Sequence, residues 1–210
     1  MPSLLTQLLK EKINKILSPL SYILQKVKIT PNMLSLFGLV VNIISAVAIL
    51  NGKLVLGGFL LLFAGFFDLL DGAMARSTKQ TTRFGAILDS TLDRYSELFT
   101  LCALTWYFFM KNDASLLLAC LISIVGSLMI SYIKARGEGL GFNCTVGIMT
   151  RPERVVVLLT ILILNSLHPQ IISIGIWFVA IASNITAIHR LLYLRKQDKI
   201  NTKDDKENSA

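Results

Sequence analysis

The chain has 210 residues, of which 53% are hydrophobic and only 16% are charged, and its formal net charge is +8. Soluble domains are usually less apolar and more highly charged, so this composition excludes an ordinary soluble protein. We predict an all-α integral membrane fold of one domain with six transmembrane helices, because each span takes about 20 residues.

The first 28 residues predict an amphipathic helix that precedes the first span. Leucines and isoleucines recur there at helical spacing, with Lys10, Lys12 and Lys15 between them. Such a helix either lies in the membrane interface or packs against the bundle, and the pattern fits both positions. The lysines interrupt the apolar stretch and no small-residue cleavage site follows it, so we do not interpret the segment as a signal peptide.

Six apolar runs follow along residues 29–195, and three of them are long enough to cross a bilayer alone. The long runs are Met33–Gly52, Ala114–Ile133 and His168–Ile188. The short runs are Leu54–Phe67, Leu98–Met110 and Val155–Leu167. A span needs about 17–25 residues, so the first two short runs must include the neighbouring aspartates. We therefore expect those aspartates at helix ends near the membrane surface, and the fifth helix to begin at Pro152.

The positions of lysine and arginine predict the orientation in the membrane. Of the 21 basic residues, all except Lys53 and Lys111 lie at the two termini or in the second-to-third and fourth-to-fifth connections. By the positive-inside rule, both termini and the acidic helix ends face the cytoplasm of the cell membrane. The basic excess is then a topology signal, and we expect no nucleic-acid partner. The charged segment 196–210 predicts a disordered polar tail.

Four aspartates lie at the ends of the second and third spans. They are Asp68, Asp71, Asp89 and Asp93. The members of each pair are three or four residues apart, so each pair lies on one face of its helix. Because consecutive helices run antiparallel, both pairs lie at the same depth. Buried carboxylates need positive partners, and hard oxygen ligands suit Mg²⁺, Mn²⁺ or Ca²⁺. We predict two divalent ions that also bind a diphosphate.

Small and polar residues around these aspartates fit the same site. Gly72 lets a ligand approach the backbone, Ala75 keeps that face open, and Gly85 lets the third helix start close to the second. Arg76 is placed to contact a phosphate, and Thr82 can donate a hydroxyl hydrogen bond. The opposing interpretation is that the acids form simple salt bridges with nearby arginines. We favour the metal site, because four acids at one depth exceed what packing requires.

The segment from Asp68 to Asp93 reads Asp-x2-Asp-Gly-x2-Ala-Arg-x8-Gly-x3-Asp-x3-Asp. This pattern resembles the signature of the CDP-alcohol phosphotransferase family. The resemblance implies six helices around a polar cavity open to the cytoplasm, a homodimer, and two Mg²⁺ or Mn²⁺ ions on the diphosphate of a CDP-linked lipid. It also implies that Asp93 is the catalytic base that accepts a proton from the acceptor hydroxyl. The implied CDP-lipid ligands are Thr30, Pro31, Asn32, Gly72, Ala75, Arg76, Thr82 and Gly85.

A second group of residues, at the cytoplasmic ends of the last three spans, is basic. The segments Ser131–Glu138 and Arg151–Arg154 resemble the phosphatidylinositol phosphate synthases of this family, which implies that inositol 1-phosphate is the acceptor. The implied acceptor phosphate ligands are Ser131, Lys134, Arg136, Arg151, Arg154 and Arg190. The alternative for this group is topology anchoring, with ion pairs to Glu138 and Glu153.

Three other functions remain open at the level of sequence. A phosphatidylglycerophosphate synthase would use the same metals and base, with glycerol 3-phosphate as acceptor. A membrane prenyltransferase also grips a diphosphate with two aspartate motifs, although these normally lie on well-separated helices. A divalent-metal transporter would need acids near mid-membrane, whereas the outer half here is nearly uncharged. We therefore favour transfer of a phosphatidyl group from CDP-diacylglycerol or CDP-archaeol.

Overall fold

The computed structural model describes residues 23, 24, 26, 28–77 and 82–207, with the backbone only at 77 and 201–207. The predicted amphipathic helix over residues 1–28 lies almost entirely outside these residues. The described helices are α1 (Pro31–Leu50), α2 (Leu54–Ser77), α3 (Arg83–Met110), α4 (Ala114–Gly139), α5 (Arg151–Leu164) and α6 (Gln170–Glu207). No strand occurs in the described ranges, which confirms the all-α prediction.

Four of these helices are long and apolar enough to cross a membrane, namely α1, α2, α4 and α6. The protein is therefore an all-α membrane protein. Helix α5 has 14 residues, a rise of about 21 Å, which is less than the bilayer core of about 30 Å. Helix α3 is long enough but carries acids and arginines along its first half. The complete six-span topology therefore stays a prediction.

Capping residues set where α1 and α3 begin. The Thr30 hydroxyl accepts a hydrogen bond from the Met33 N–H at 3.3 Å, and Pro31 occupies the first turn. The Thr82 hydroxyl accepts from the Gly85 N–H at 2.9 Å. In both cases the side chain satisfies an amide that has no partner inside the helix. Both helices therefore begin at the end of the bundle where α2 finishes.

The helices pack into a closed ring in the order α1, α2, α5, α6, α4, α3 and back to α1. The main core lies away from the aspartates and includes Ile49, Leu104, Leu162 and Val179, all of which are fully buried. A smaller apolar cluster lies at the acidic end of α2, where Leu70 and Met74 pack against Leu34 of α1. At one end of the ring, polar residues of the helix ends surround an open cavity.

Close contact between α1 and α2 depends on Gly57. A Cβ atom at this position would lie 2.5 Å from Ile49 Cγ1. The Ser45 hydroxyl donates to the Gly57 carbonyl at 2.7 Å across the same contact. Small residues and interhelical hydrogen bonds hold membrane helices together where lipid removes the hydrophobic drive for association. This contact holds α1 and α2 close together near the start of α2.

Helix α6 differs from the sequence prediction at its end. The disordered tail was expected from Lys196, but the helix continues to Glu207. Charge and polarity predicted the tail, whereas no glycine or proline follows Gly175 in the sequence to stop the helix. Most of the intervening polar residues are adequate helix formers, so the helix extends past the apolar part.

Candidate active site

A cavity of about 190 Å³ lies where α1 begins, α2 ends and α3 begins. Its lining residues are Pro31, Asn32, Ser35, Asp71, Gly72, Ala75, Arg76, Thr82, Gly85, Ala86 and Asp89. All of the residues implied as CDP-lipid ligands line it except Thr30, which caps α1 beside it. Three chain segments that are far apart in sequence therefore meet around one cavity.

Asp71 is held in the cavity wall by a residue that the sequence prediction missed. The Ser35 hydroxyl lies 2.5 Å from Asp71 Oδ2 and donates to it. The carboxylate is 5% exposed, and a buried carboxylate needs such donors. Ser35 lies four residues after Pro31, on the next turn of the same helix face, and that spacing is the signal that could have indicated it.

Two glycines, Gly72 and Gly85, line the cavity. A Cβ on Gly72 would lie 3.3 Å from Arg76 Nη1, and one on Gly85 would lie 2.9 Å from Thr82 Oγ1 and 3.2 Å from Asn32 Oδ1. Any larger residue at these positions would crowd the polar atoms that face the cavity. Gly85 was expected to let the third helix start close to the second, but the nearest atoms belong to Thr82 of its own cap and to Asn32 of α1. The expectation that Gly72 lets a ligand approach the backbone stays a prediction.

Asp68 and Asp93 form ion pairs with one arginine from the opposite side of the ring. Arg151, the first residue of α5, has Nη2 at 2.7 Å from Asp68 Oδ2 and Nη1 at 2.8 Å from Asp93 Oδ1. These are ordinary distances for charge-assisted hydrogen bonds. The Nε atom of the same guanidinium is buried and has no hydrogen-bond partner. Arg151 was expected at the acceptor phosphate, and the structure places it among the aspartates.

The four aspartates act on one another electrostatically. Asp71 is repelled by Asp89 and Asp68, and Asp93 is repelled by the same two residues. Asp71 and Asp89 line one cavity, and Arg151 contacts both Asp68 and Asp93, so the acids of α2 and α3 lie at the same end of the bundle. Within the described ranges, however, no three His, Cys, Asp or Glu side chains are arranged as a metal-ion ligand group. The donor chemistry fits a hard divalent cation, while in this conformation the Arg151 guanidinium lies between two of the carboxylates.

Arg154 has a different environment from the one that the sequence predicted. Its side chain is 1% exposed, with Nε at 2.5 Å and Nη2 at 2.8 Å from the two oxygens of Glu97. Its Nη1 donates to the Met149 carbonyl at 2.9 Å. Arg154 therefore does not face an open pocket here. Glu97 lies four residues after Asp93, so it continues the acidic face of α3 one turn further, a signal that the sequence prediction did not use.

Arg190 is also buried, at 5% exposure. Its Nε donates to the Val146 carbonyl and its Nη1 to the Ile130 carbonyl, both at 2.8 Å. Gly147, with φ +136°, lies against this side chain, where a Cβ would be 3.2 Å from Arg190 Nε. Arg190 therefore fixes the loop between α4 and α5 against α6.

Ser131, Lys134 and Arg136 lie on the last two turns of α4. Ser131 is half-buried, and both basic side chains are exposed. Lys134 Nζ is 3.7 Å from Glu138 Oε1, an exposed pair within one helix. The six residues implied for the acceptor phosphate are thus not assembled into one open pocket. Lys134 and Arg136 are accessible, Arg154 and Arg190 are enclosed, and Arg151 is bound to the aspartates.

An apolar groove of about 640 Å³ runs between α2 and α5. Phenylalanines and leucines of α2 form one wall, and valines and leucine of α5 form the other. Asp68 and Arg151 stand at its polar end. A groove with these walls suits hydrocarbon chains, and its polar end adjoins the aspartates.

The fold is that of an all-α membrane protein. Its acid-lined cavity lies at the end of the helix bundle and could bind a polar group. Residues 28–188 match the model of the CDP-alcohol phosphatidyltransferase family. The chain belongs to this family, and it is therefore a phosphatidyl-transferring enzyme of phospholipid biosynthesis.

Its relatives include the phosphatidylinositol phosphate synthase of Mycobacterium tuberculosis (strain ATCC 25618 / H37Rv), which is 39% identical over 183 residues, or 84% of each chain. A crystal structure of M. tuberculosis phosphatidylinositol phosphate synthase with CDP-DAG bound aligns with a TM-score of 0.81 and 38% identity, covering 86% of this chain and 94% of that one. A second, in complex with manganese and citrate, aligns with a TM-score of 0.81 and 38% identity, covering 85% and 88%.

Proposed function

We propose that this enzyme transfers the phosphatidyl group of a CDP-linked lipid to inositol 1-phosphate, giving phosphatidylinositol phosphate and CMP. The observation that carries the proposal is the cavity at the ends of α1, α2 and α3, which is lined by Asp71 and Asp89 together with other residues of the signature. The similarity to a phosphatidylinositol phosphate synthase, over 84% of both chains, supports the choice of acceptor.

The donor lipid would bind with its two chemically different parts in two regions. The nucleotide and diphosphate fit the polar cavity, where Arg76, Thr82 and Asn32 offer hydrogen bonds to phosphate and base. The chains fit the apolar groove between α2 and α5, because the groove ends at Asp68. CDP-diacylglycerol is supported by the relative whose structure contains CDP-DAG, and CDP-archaeol has the same polar part.

A divalent cation, Mg²⁺ or Mn²⁺, would be held by Asp68, Asp71, Asp89 and Asp93. Four carboxylates at one end of the bundle provide the oxygen ligands that such ions prefer, and the structure of a relative contains manganese. We propose two ions. When bound, they would neutralise negative charge on the diphosphate.

Asp93 is proposed as the general base. It would accept the proton of the attacking hydroxyl of inositol 1-phosphate, whose oxygen then bonds to the phosphorus attached to the lipid. The bond from that phosphorus to the bridging oxygen breaks, and CMP leaves with its electron pair. Arg76, which lines the cavity, would stabilise the negative charge on the leaving phosphate.

The acceptor phosphate is proposed to bind at the cytoplasmic ends of α4, α5 and α6. Lys134 is the accessible member and would make the first contact, together with Ser131 and Arg136. Arg154 and Arg190 would reach a phosphate only after releasing Glu97 or the loop carbonyls. They hold the loop that borders the pocket in its present position.

The proposal places a homodimer in the cell membrane, with both termini and the cavity on the cytoplasmic side. The distribution of lysine and arginine supports this orientation. Labelling of single cysteines with a membrane-impermeant reagent tests it. We expect Lys53→Cys to react from outside intact cells and Lys199→Cys to react only after lysis; the reverse pattern would contradict the orientation.

The deciding experiment is CMP release by the purified enzyme with CDP-diacylglycerol, Mn²⁺ and a panel of acceptors. We expect release with inositol 1-phosphate, and the lipid product identified by mass spectrometry. Lys134→Ala should raise the KM for this acceptor, whereas Arg195→Ala, an exposed basic residue further along α6, should not. Release with glycerol 3-phosphate but not inositol 1-phosphate would replace the proposed acceptor.

A further inference from the structure

Arg151 is the only residue of α5 in an ion pair with the aspartates of α2 and α3 among those found in the described ranges. It reaches Asp68 on one helix and Asp93 on the other with separate nitrogens. Helix α5 packs against α2 and α6 in the ring, so this side chain extends to α3 across the polar end of the groove. One cation therefore neutralises two acids that repel each other.

This guanidinium is incompletely satisfied. Its Nε is buried without a partner, and a buried donor left unpaired is unfavourable. Asn42, which lines the same small cavity of about 20 Å³ as Arg151, has a buried Oδ1 that also lacks a partner. The position of Arg151 is thus stabilised by its two ion pairs and disfavoured by one unpaired donor.

Arg151 occupies one oxygen of each of two carboxylates, Asp68 and Asp93, to which the proposed function assigns the divalent cation. Both side chains stay accessible, with 30% of Asp68 and 16% of Asp93 exposed. A doubly charged ion attracts a carboxylate more strongly than a singly charged guanidinium does at a similar distance. The two kinds of cation cannot both hold the same oxygens in full.

We propose that Arg151 is the resident counter-ion of the aspartate site and that it exchanges with the incoming divalent cation. This rests on the proposed function, in which the aspartates bind that cation. In this conformation Arg151 holds Asp68 and Asp93 together and offsets the repulsion between them. On exchange, the guanidinium leaves both carboxylates, and its five N–H donors become available to phosphate oxygens beside the site.

The exchange makes a quantitative prediction for metal affinity. If Arg151 is paired with the aspartates in most metal-free molecules, only the small remaining fraction can bind the cation. The measured affinity is then the intrinsic affinity multiplied by that fraction. Removing the guanidinium removes the competitor. We expect Arg151→Met to bind Mn²⁺ about tenfold or more tightly than the wild type without substrate, because competent molecules then make up most of the population.

Arg94 provides the matched control. It lies near the same acids and acts electrostatically on Asp89 and Asp93, but its Nη1 donates to the Ser90 carbonyl. Arg94→Met therefore removes the same charge at close range without freeing a ligand oxygen. We expect its Mn²⁺ affinity to stay within about threefold of the wild type, as for a partly exposed, screened charge.

The measurement is a titration of the purified full-length protein in detergent with Mn²⁺, read by the electron paramagnetic resonance signal of the free ion. Thermal unfolding gives a second reading. Arg151→Met should unfold at a lower temperature than the wild type without metal, and Mn²⁺ should raise its Tm by more, because tighter binding to the native state stabilises it more.

Equal or weaker Mn²⁺ binding by Arg151→Met would overturn the proposal, and so would equal tightening by Arg94→Met, which would indicate a long-range charge effect. If Arg151→Met does not remain folded, Arg151→Lys decides. A lysine cannot hold both carboxylates with a fixed fork, so we expect tighter Mn²⁺ binding than in the wild type, and unchanged binding refutes the exchange.

The CMP-release assay separates this inference from the proposed function. A wild-type enzyme that releases CMP but whose Mn²⁺ affinity does not depend on Arg151 refutes the exchange alone. A wild type that neither binds Mn²⁺ nor releases CMP refutes both.

Discussion

Arg151 and Arg154 lie one helical turn apart in the same Arg-Pro-Glu-Arg segment, yet their environments differ. Arg154 is enclosed, with both oxygens of Glu97 and a backbone carbonyl as partners. Arg151 has a quarter of its side chain exposed and its Nε unpaired. The comparison separates a guanidinium that is part of the packing from one that is free to be displaced. Burial and the completeness of hydrogen bonding distinguish them, not residue type.

The largest expected effect is at Asp93, the α3 partner of Arg151. Asp93→Asn should lower turnover by about 10²–10⁴-fold, because an amide cannot accept the proton of the acceptor hydroxyl. Binding of CDP-diacylglycerol, measured by calorimetry, should be largely retained. Asp113→Asn is the control, since asparagine serves equally well at the N-cap of α4, far from the site. Near-normal turnover of Asp93→Asn would contradict the assignment of the base.

A smaller effect is expected at the enclosed pair, and it concerns stability. Arg154→Met should reduce the free energy of unfolding by about 3–5 kcal/mol, because it leaves the Glu97 carboxylate buried without its partner. Thermal unfolding in detergent measures this. The double variant Glu97→Leu with Arg154→Met is the control, since replacing both charges by apolar groups is often nearly neutral. A single variant as stable as the double one would show that Arg154 is not part of the packing.

The smallest expected effect is at Ser35, which supports Asp71 in the cavity wall. Ser35→Ala removes the 2.5 Å hydrogen bond to the carboxylate and should reduce the free energy of unfolding by about 1–3 kcal/mol. The control is Ser90→Ala, because the Ser90 hydroxyl donates to the Ile87 carbonyl of its own helix. Equal Tm values for the two variants would contradict a supporting role for Ser35.

The helix positions were predictable in large part from apolar run length. The prediction that α2 and α3 must extend through the aspartates is confirmed, since α2 begins at Leu54 and reaches Ser77 and α3 begins at Arg83. The helical extension of α6 to Glu207 was not predicted. Its composition is polar enough for a disordered tail, and only the lack of a helix-stopping residue indicated otherwise.

The cavity-lining residues from Asp71 to Asp89 were predictable because most of them belong to one short signature with fixed spacing, whereas Ser35 of α1 was missed. The partners of the arginines were not. Arg151 and Asp68 are 83 positions apart, and Arg154 and Glu97 are 57 apart. Sequence spacing carries no information about which of several arginines at one end of a helix bundle pairs with which acid.

The sequence alone determined the class of protein, the acidic ends of α2 and α3, and the small residues that keep the cavity open. Local properties decide these features: apolar length, helical periodicity and the absence of a Cβ. Only the tertiary structure decided that α5 lies against α2, which brings Arg151 to Asp68 and Asp93 and buries Arg154 against Glu97. Burial and pairing depend on helix packing across the ring, and these two properties distinguish the displaceable arginine from the fixed one.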